Sequence, residues 1–131
     1  MLFETTQCAQ CDELHTVGFK RQEVLQQLAR FDVVRFSLSE TAQVTSPDGK
    51  SMPAAAWAKT LGVGYVPAIV LFDARGREVF RTEAYLRPFH LAGALEYVSS
   101  GAYTREPSFQ RFLQTKADAM RSRGERVDLW N

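Results

Sequence analysis

The feature that most constrains this chain is a pair of cysteines, Cys8 and Cys11, which are the only two in 131 residues. The polar residues before Cys8 are typical of the start of a helix. A C-x-x-C pair at that place brings the two sulfurs within bonding distance, and the unpaired N–H groups and dipole of the helix N-terminus stabilise a thiolate there. The spacing therefore indicates a candidate dithiol/disulfide switch.

Length and composition favour one globular domain. The chain is 45% hydrophobic and 24% charged, so it can bury a core without a disulfide to hold it together. A net charge of +1 with scattered basic residues argues against a nucleic-acid or lipid surface. No apolar window is long enough for a membrane span, and no signal-peptide pattern is visible. The abrupt start at Met1 would suit a chain from which a leader has been removed.

The hydrophobic pattern alternates between strand-like and helix-like segments. A strand-helix-strand start requires a parallel strand pair with a right-handed crossover, and a later hairpin adds antiparallel strands to the same sheet. The expected elements are, in order, a strand at 2–5, a helix at 9–30 that Gly18 breaks or kinks, a strand at 33–38, a loop at 39–53, a helix ending near Gly62, hairpin strands at 68–72 and 78–82, and helices at 88–99 and 107–123.

The positions of the C-x-x-C pair and of the Val66-Pro67 step resemble those of the thioredoxin fold. The cysteines lie at the first strand-to-helix turn, and the proline lies just before the apolar strand of the hairpin. Over residues 2–99 the chain is more closely similar to the periplasmic thioredoxin-related proteins of the SoxW type. This closer similarity is carried by the segments Asp48-Gly49-Lys50, Trp57-Ala58-Lys59-Thr60-Leu61-Gly62-Val63 and Val66-Pro67-Ala68-Ile69-Val70-Leu71-Phe72-Asp73.

The resemblance implies an α/β thioredoxin-like fold, with a four-stranded mixed sheet flanked by helices and an extra C-terminal helix. Residues 1–100 would form the thioredoxin-like domain and residues 101–131 a helical extension. The implied activity is that of a thiol-disulfide oxidoreductase acting on protein substrates, with no cofactor beyond its redox-active disulfide. Its partners would be disulfide-containing proteins and a redox partner protein, and its location would be periplasmic.

The same resemblance implies a role for each residue of the site. Cys8 resembles the nucleophile that attacks a substrate disulfide, and Cys11 resembles the resolving thiol that releases the product from the mixed disulfide. Pro67 resembles the cis-proline that faces the dithiol. Val66 would present its backbone N–H and C=O groups to an extended substrate segment and influence selectivity.

The chain departs from the thioredoxin pattern around the cysteines. Gln7 stands where thioredoxins have a tryptophan, and Ala9 and Gln10 replace the usual Gly-Pro or Pro-Tyr between the cysteines. Neither central residue supplies a cation or a rigid proline, so the helix terminus is the main stabiliser of the thiolate. We therefore expect an intermediate or reducing motif rather than a strongly oxidising one.

Two further polar residues are candidates for proton transfer. The buried acid that thioredoxins place on the strand before the motif is missing at Leu2, and Glu4 is the nearest carboxylate. His15 lies four residues after Cys11, on the same face of the expected helix. Lone polar groups near a site are also often structural or solvated, so both readings stay open.

Two other functional classes are compatible with the cysteine pair. The first is a zinc-stabilised adaptor, in which His15 and His90 would be the remaining soft ligands. We expect no metal. A thioredoxin-like binding module with an idle disulfide is the main alternative to the enzyme, although such a short loop constrains the unfolded chain little. The oligomeric state does not follow from the sequence.

Overall fold

The structure is a computed structural model that describes residues 1–130, and its contacts divide the chain into two compact units. The first, which we call the cysteine unit, contains Met1–Leu14 and Val33–Tyr85. The second, which we call the helical unit, contains His15–Asp32 and the chain from Leu86 onward. All of the predicted site residues except His15 belong to the cysteine unit.

The order of strands and helices follows the predicted alternation, with one additional hairpin. The elements are β1 (Leu2–Glu4), α1 (Ala9–Thr16), a 3-10 helix (Gly18–Lys20), α2 (Gln22–Leu28), β2 (Arg35–Ser37), β3 (Gln43–Thr45), β4 (Ser51–Pro53), α3 (Ala54–Leu61), β5 (Ala68–Phe72), β6 (Glu78–Thr82), α4 (Pro88–Ser99), a second 3-10 helix (Ala102–Thr104) and α5 (Phe109–Ser122).

The cysteine unit contains a four-stranded mixed sheet in the order β2-β1-β5-β6. Strand β1 runs parallel to β2 and antiparallel to β5, and β5 and β6 form an antiparallel pair. The predicted parallel start and the predicted hairpin are therefore confirmed. Strand β5 lies in the interior of the sheet, as its uninterrupted apolar run indicated, and Val70 at its centre is fully buried.

An aromatic cluster holds β1 in place. Phe3 is completely buried, and its ring lies 5.7 Å from that of Phe36 and 5.7 Å from that of Trp57. Trp57 also stacks on Phe72 of β5, with 6.1 Å between ring centroids. Burial of such large side chains dominates core energetics. Helix α3, which supplies Trp57, ends at Gly62 in the left-handed conformation, as predicted.

The prediction of a loop over residues 39–53 was wrong, because β3 and β4 pair there as a two-stranded antiparallel sheet. Val44 lies opposite Met52, and both pack against the aromatic cluster. The turn between them is closed by Ser46, whose hydroxyl donates to Asp48 and to the carbonyl of Lys50. Each strand has only three residues and makes one apolar contact. Alternation with a period of two cannot be recognised in so short a segment.

The helical unit is built on the packing of α4 against α2 and α5. The ring of Tyr97 lies 5.3 Å from that of Phe109 and 5.1 Å from that of Phe112. Its hydroxyl donates to the carbonyl of Glu106, and burial raises the pKa of Tyr97, with a smaller contribution from the Glu106 carboxylate. The predicted extra C-terminal helix is thus present and is packed on α4.

Two further expectations concern this part of the chain. Gly18 was predicted to interrupt the first long helix, and α1 does end at Thr16 before a 3-10 helix that begins at Gly18. The division into a domain over 1–100 and an extension over 101–131 stays a prediction. Its last residue, Asn131, lies outside the described residues.

Candidate active site

The cysteine loop and the Val66-Pro67 step lie at the same end of the two central strands, β1 and β5. In the antiparallel pairing of β1 with β5, Phe3 lies opposite Ala68, so the next residues along, Glu4 and Pro67, come at the end of the paired region. Proline has no N–H to donate, and the ladder stops there. Both predicted parts of the site, the dithiol and the proline, therefore lie toward the same end of the sheet in the cysteine unit.

Cys8 and Cys11 are joined in a disulfide, with 2.08 Å between the sulfurs and 5.2 Å between the Cα atoms. Cys8 immediately precedes α1, and its carbonyl accepts the first helical bond, from the Asp12 N–H at 3.0 Å. Its sulfur accepts the backbone N–H of Cys11 at 3.1 Å. The Cys8 sulfur thus occupies the position of a helix N-cap acceptor. A thiolate formed there keeps a backbone donor and the positive end of the helix dipole.

The two cysteines differ in access to solvent. Cys11 is 2% exposed, whereas Cys8 is half-buried. A bulky substrate can therefore reach the Cys8 sulfur more readily than the Cys11 sulfur. The predicted roles need this difference in exposure, because the attacking thiol must be accessible to a substrate disulfide, whereas the resolving thiol attacks within the protein.

Gln7 has an unusual backbone conformation directly before the disulfide. Its φ angle is +55°, and among residues 1–130 it is the one non-glycine residue with a positive φ. The left-handed region costs an L-residue about 1–2 kcal/mol, and such residues cluster at functional sites. Gln7 departs from the thioredoxin pattern, but its residue type does not predict this conformation, because asparagine and glycine, rather than glutamine, usually mark it.

The Val66-Pro67 peptide bond is cis. Pro67 is fully buried and Val66 is half-buried. Both residues lie between α3 and β5. A five-residue segment, from Gly62 to Val66, connects α3 to Pro67.

That connecting segment, which we call the proline loop, is held by two charged side chains near the end of β6, one bonded to the last residue of α3 and one to the loop itself. Arg81 donates to the carbonyl of Leu61 at 2.6 Å, and the Glu83 carboxylate accepts the N–H of Gly64 at 2.8 Å. Arg81 also pairs with Glu78 at 2.7 Å, a hydrogen bond that raises the pKa of Arg81. Neither Arg81 nor Glu83 was predicted from the sequence, since about twenty positions separate each from its partner and no local pattern links them.

Glu4, a candidate for proton transfer, is 2% exposed near the end of β1. Its carboxylate accepts a hydrogen bond from the Arg35 guanidinium of β2 at 2.5 Å. Charge-assisted bonds of this kind are the stronger class in proteins, and they offset the cost of burying a carboxylate. The sequence placed Glu4 near the motif but did not indicate Arg35 as its partner. The proton-transfer role of Glu4 stays a prediction.

The histidines have aromatic neighbours. His15 lies one helical turn after Cys11 on α1, and its ring meets the Phe19 ring edge-on at 5.2 Å. His90, on α4, makes a similar contact with Phe89 at 5.6 Å. Over the described part of the chain, no group of three or more His, Cys, Asp or Glu side chains is arranged to hold a metal ion. The role proposed for His15 stays a prediction.

Comparison with known proteins identifies the family. Residues 1–99 match the family model of a thioredoxin-like domain, so the chain belongs to the thioredoxin-like family. The fold is similar to that of a thioredoxin-fold protein from Helicobacter pylori, with a TM-score of 0.76 and 16% sequence identity over 90% of this chain and 83% of that one. At this identity the likeness shows the fold alone. No curated protein sequence matches the chain.

These findings confirm the predicted fold family and the predicted α/β thioredoxin-like architecture. A thioredoxin-like domain with a C-x-x-C disulfide is consistent with thiol-disulfide exchange. The closer similarity to SoxW-type proteins stays a prediction. Within residues 1–130, no helix combines the length and the apolar content that crossing a bilayer requires.

Proposed function

We propose that this protein is a thiol-disulfide oxidoreductase that reduces disulfides in protein substrates. The observation that carries the proposal is the asymmetry of the dithiol: the accessible Cys8 sulfur accepts the N–H of Cys11 at the start of α1, and the Cys11 side chain is buried. In this position Cys8 is the better nucleophile, and Cys11 is held beside it to complete the exchange.

The exchange has two steps. In the reduced protein, the Cys8 thiolate attacks one sulfur of a substrate disulfide, and the other substrate sulfur leaves as a thiolate that takes up a proton. The Cys11 thiol then loses its proton and attacks the Cys8 sulfur, which releases the second substrate thiolate and forms the Cys8–Cys11 disulfide. Two electrons pass from the dithiol to the substrate disulfide. Glu4 and His15 are candidates for the group that accepts the Cys11 proton.

The charges around the cysteines support the reducing direction. Asp12 and Glu13 follow Cys11 directly, and neither Ala9 nor Gln10 supplies a positive charge. Negative charges in the first turns of α1 oppose the stabilisation of a thiolate by the helix dipole. A less stable thiolate shifts the couple toward the disulfide, which is the property of a reductant.

The proposal includes partners, cofactor and location. A second dithiol protein would restore the reduced state, since each turnover leaves the Cys8–Cys11 disulfide. No bound cofactor is needed for this chemistry. Val66 would add an extended substrate segment as a strand through its backbone, with Pro67 beside it. The similarity to SoxW-type proteins supports a periplasmic location, which cell fractionation would test.

The experiment is a redox titration combined with a turnover assay. The protein is equilibrated with dithiothreitol buffers of known potential, and insulin reduction is followed with dithiothreitol as electron donor. We expect a reversible two-electron couple nearer about −270 mV, typical of a reducing thioredoxin, than about −120 mV, typical of a strong oxidant. We also expect insulin reduction to be lost in Cys8→Ser.

The competing hypothesis gives a different result. A thioredoxin-like binding module with an idle disulfide would reduce insulin no faster than dithiothreitol alone, and Cys8→Ser would change nothing. Stoichiometric zinc in the reduced protein would instead favour the zinc-stabilised adaptor.

A further inference from the structure

Tyr65 is an exposed aromatic side chain on the proline loop. It is 74% exposed, and it immediately precedes Val66 and the buried Pro67. A side chain this exposed contributes little to the stability of the cysteine unit, because it removes little apolar surface from water. Its position beside the residues that would pair with a substrate makes it a candidate for contact with that substrate.

The backbone that carries Tyr65 is fixed on both sides. Before it, Glu83 accepts the N–H of Gly64 at 2.8 Å, and Arg81 holds the carbonyl of Leu61 at 2.6 Å. After it, Pro67 is buried against the start of β5. A tyrosine on a fixed backbone has only two side-chain torsions to order on binding, so little conformational entropy opposes a contact.

From this arrangement we infer that Tyr65 is a specificity-determining contact for protein substrates, and that Glu83 is the positioning residue for its loop. The inference rests on the proposed oxidoreductase function. The ring would pack against an apolar side chain of an extended, disulfide-bearing segment whose backbone pairs with Val66. Tyr65 directly precedes Val66, so its ring would contact the substrate next to the backbone groups that pair with Val66. A small disulfide lacks the chain needed to reach the ring.

The test compares Tyr65→Ala, Tyr65→Phe and wild-type protein on two substrates. One is insulin, and the other is hydroxyethyl disulfide, which has no polypeptide. For Tyr65→Ala we expect kcat/KM with insulin to fall about tenfold, as for an aromatic contact residue, with an unchanged rate on hydroxyethyl disulfide. Tyr65→Phe keeps the ring and should keep both rates.

A matched control comes from the helical unit. Trp130 is 72% exposed, so Trp130→Ala also removes a large, exposed aromatic side chain. We expect this variant to behave as wild type on both substrates. An equal loss in Trp130→Ala would mean that exposed aromatic surface in general, rather than Tyr65, assists the reaction, and it would overturn the inference.

The positioning role of Glu83 has its own measurement. Glu83→Ala removes the acceptor for the Gly64 N–H and should raise KM for insulin severalfold, with kcat and the reduction potential unchanged. Glu83→Gln keeps an acceptor oxygen and should restore the wild-type KM. A purely structural role would instead lower kcat on both substrates or lower thermal stability in both variants.

The outcomes separate the inference from the proposed function. If wild-type protein reduces both substrates and Tyr65→Ala affects both equally or neither, the inference fails and the proposed function stands. If wild-type protein reduces neither substrate, the proposed function fails and the inference fails with it.

Discussion

In the cysteine unit, the residues of the proposed chemistry lie at or near the ends of strands and helices, whereas in the helical unit the main contacts lie between helices. Gln7 turns through a positive φ just before α1, and Pro67 ends the pairing of β1 with β5. In the helical unit, Tyr97 and Leu113 pack on the facing sides of α4 and α5. The two units should therefore respond differently to substitution.

The difference has a physical basis. Irregular backbone places sulfur, N–H and C=O groups where a substrate can reach them, at a cost in conformational energy. Packed helices gain stability from buried apolar surface and expose their backbone groups to no substrate. We therefore expect changes at the irregular positions to alter reactivity or backbone strain, and changes between the helices to alter stability without altering reactivity.

The largest expected effect on stability comes from Leu113→Ala in the helical unit. Leu113 is buried against Gly93, whose missing side chain allows the close approach of α5 to α4. Truncation leaves a cavity, and we expect the free energy of unfolding to fall by about 2–5 kcal/mol in guanidinium denaturation. Insulin reduction by the protein that remains folded should be unchanged.

The control for this variant is Leu25→Ala in the same unit. Leu25 is 45% exposed, so its truncation should change the free energy of unfolding by about 0.5 kcal/mol or less. Equal losses in the two leucine variants would contradict the packing assigned to α4 and α5.

A smaller effect is expected from Arg35→Ala in the cysteine unit. This change removes the 2.5 Å hydrogen bond that Arg35 donates to the buried Glu4 carboxylate, and it should lower the free energy of unfolding by about 1–3 kcal/mol. Chemical denaturation measures the loss.

The matched change in the helical unit is Arg111→Ala. Arg111 donates to Glu106 at 3.2 Å on the surface, and exposed pairs contribute only about 0–1 kcal/mol. A larger loss in Arg111→Ala than in Arg35→Ala would contradict the importance assigned to the buried carboxylate.

The smallest expected effect concerns Gln7, whose backbone is in the left-handed region. Glycine accepts a positive φ without steric cost, whereas valine does not, so Gln7→Val should be less stable than Gln7→Gly by about 1–2 kcal/mol. Thermal denaturation compares the two variants.

Gln10 provides the control for this comparison, because it lies within α1. Gln10→Val should cost only the difference in helix propensity, about 0.5 kcal/mol. A Gln7→Val variant as stable as Gln7→Gly would show that the strain assigned to Gln7 is absent.

The sequence predicted the elements with strong hydrophobic patterns. The strands β5 and β6 and the helix α4 have the predicted bounds, since an apolar run, an alternating pattern and helical periodicity, respectively, define them locally. The hairpin of β3 and β4 was missed because its stability comes from contacts of Val44 and Met52 with a distant aromatic cluster.

In the site, too, local motifs were predictable and long-range contacts were not. The C-x-x-C pair and the Val66-Pro67 step are visible as motifs, so their places at the first strand-to-helix turn and just before the apolar hairpin strand were predictable. The hydrogen bonds that Arg81 donates to Leu61, that Glu83 accepts from Gly64 and that Arg35 donates to Glu4 join residues far apart in the sequence. Such pairs depend on the tertiary structure, and no spacing in a single sequence indicates them.

The most direct test of the attack by Cys8 is the trapping of a mixed disulfide. Reduced Cys11→Ser and Cys8→Ser variants are each mixed with oxidised insulin, and the products are separated by non-reducing electrophoresis and identified by mass spectrometry. We predict that Cys11→Ser accumulates a stable disulfide between Cys8 and insulin, because no resolving thiol is present, whereas Cys8→Ser forms little adduct, because Cys11 is buried. Adduct formation by Cys8→Ser in preference to Cys11→Ser would contradict the roles assigned to the two cysteines.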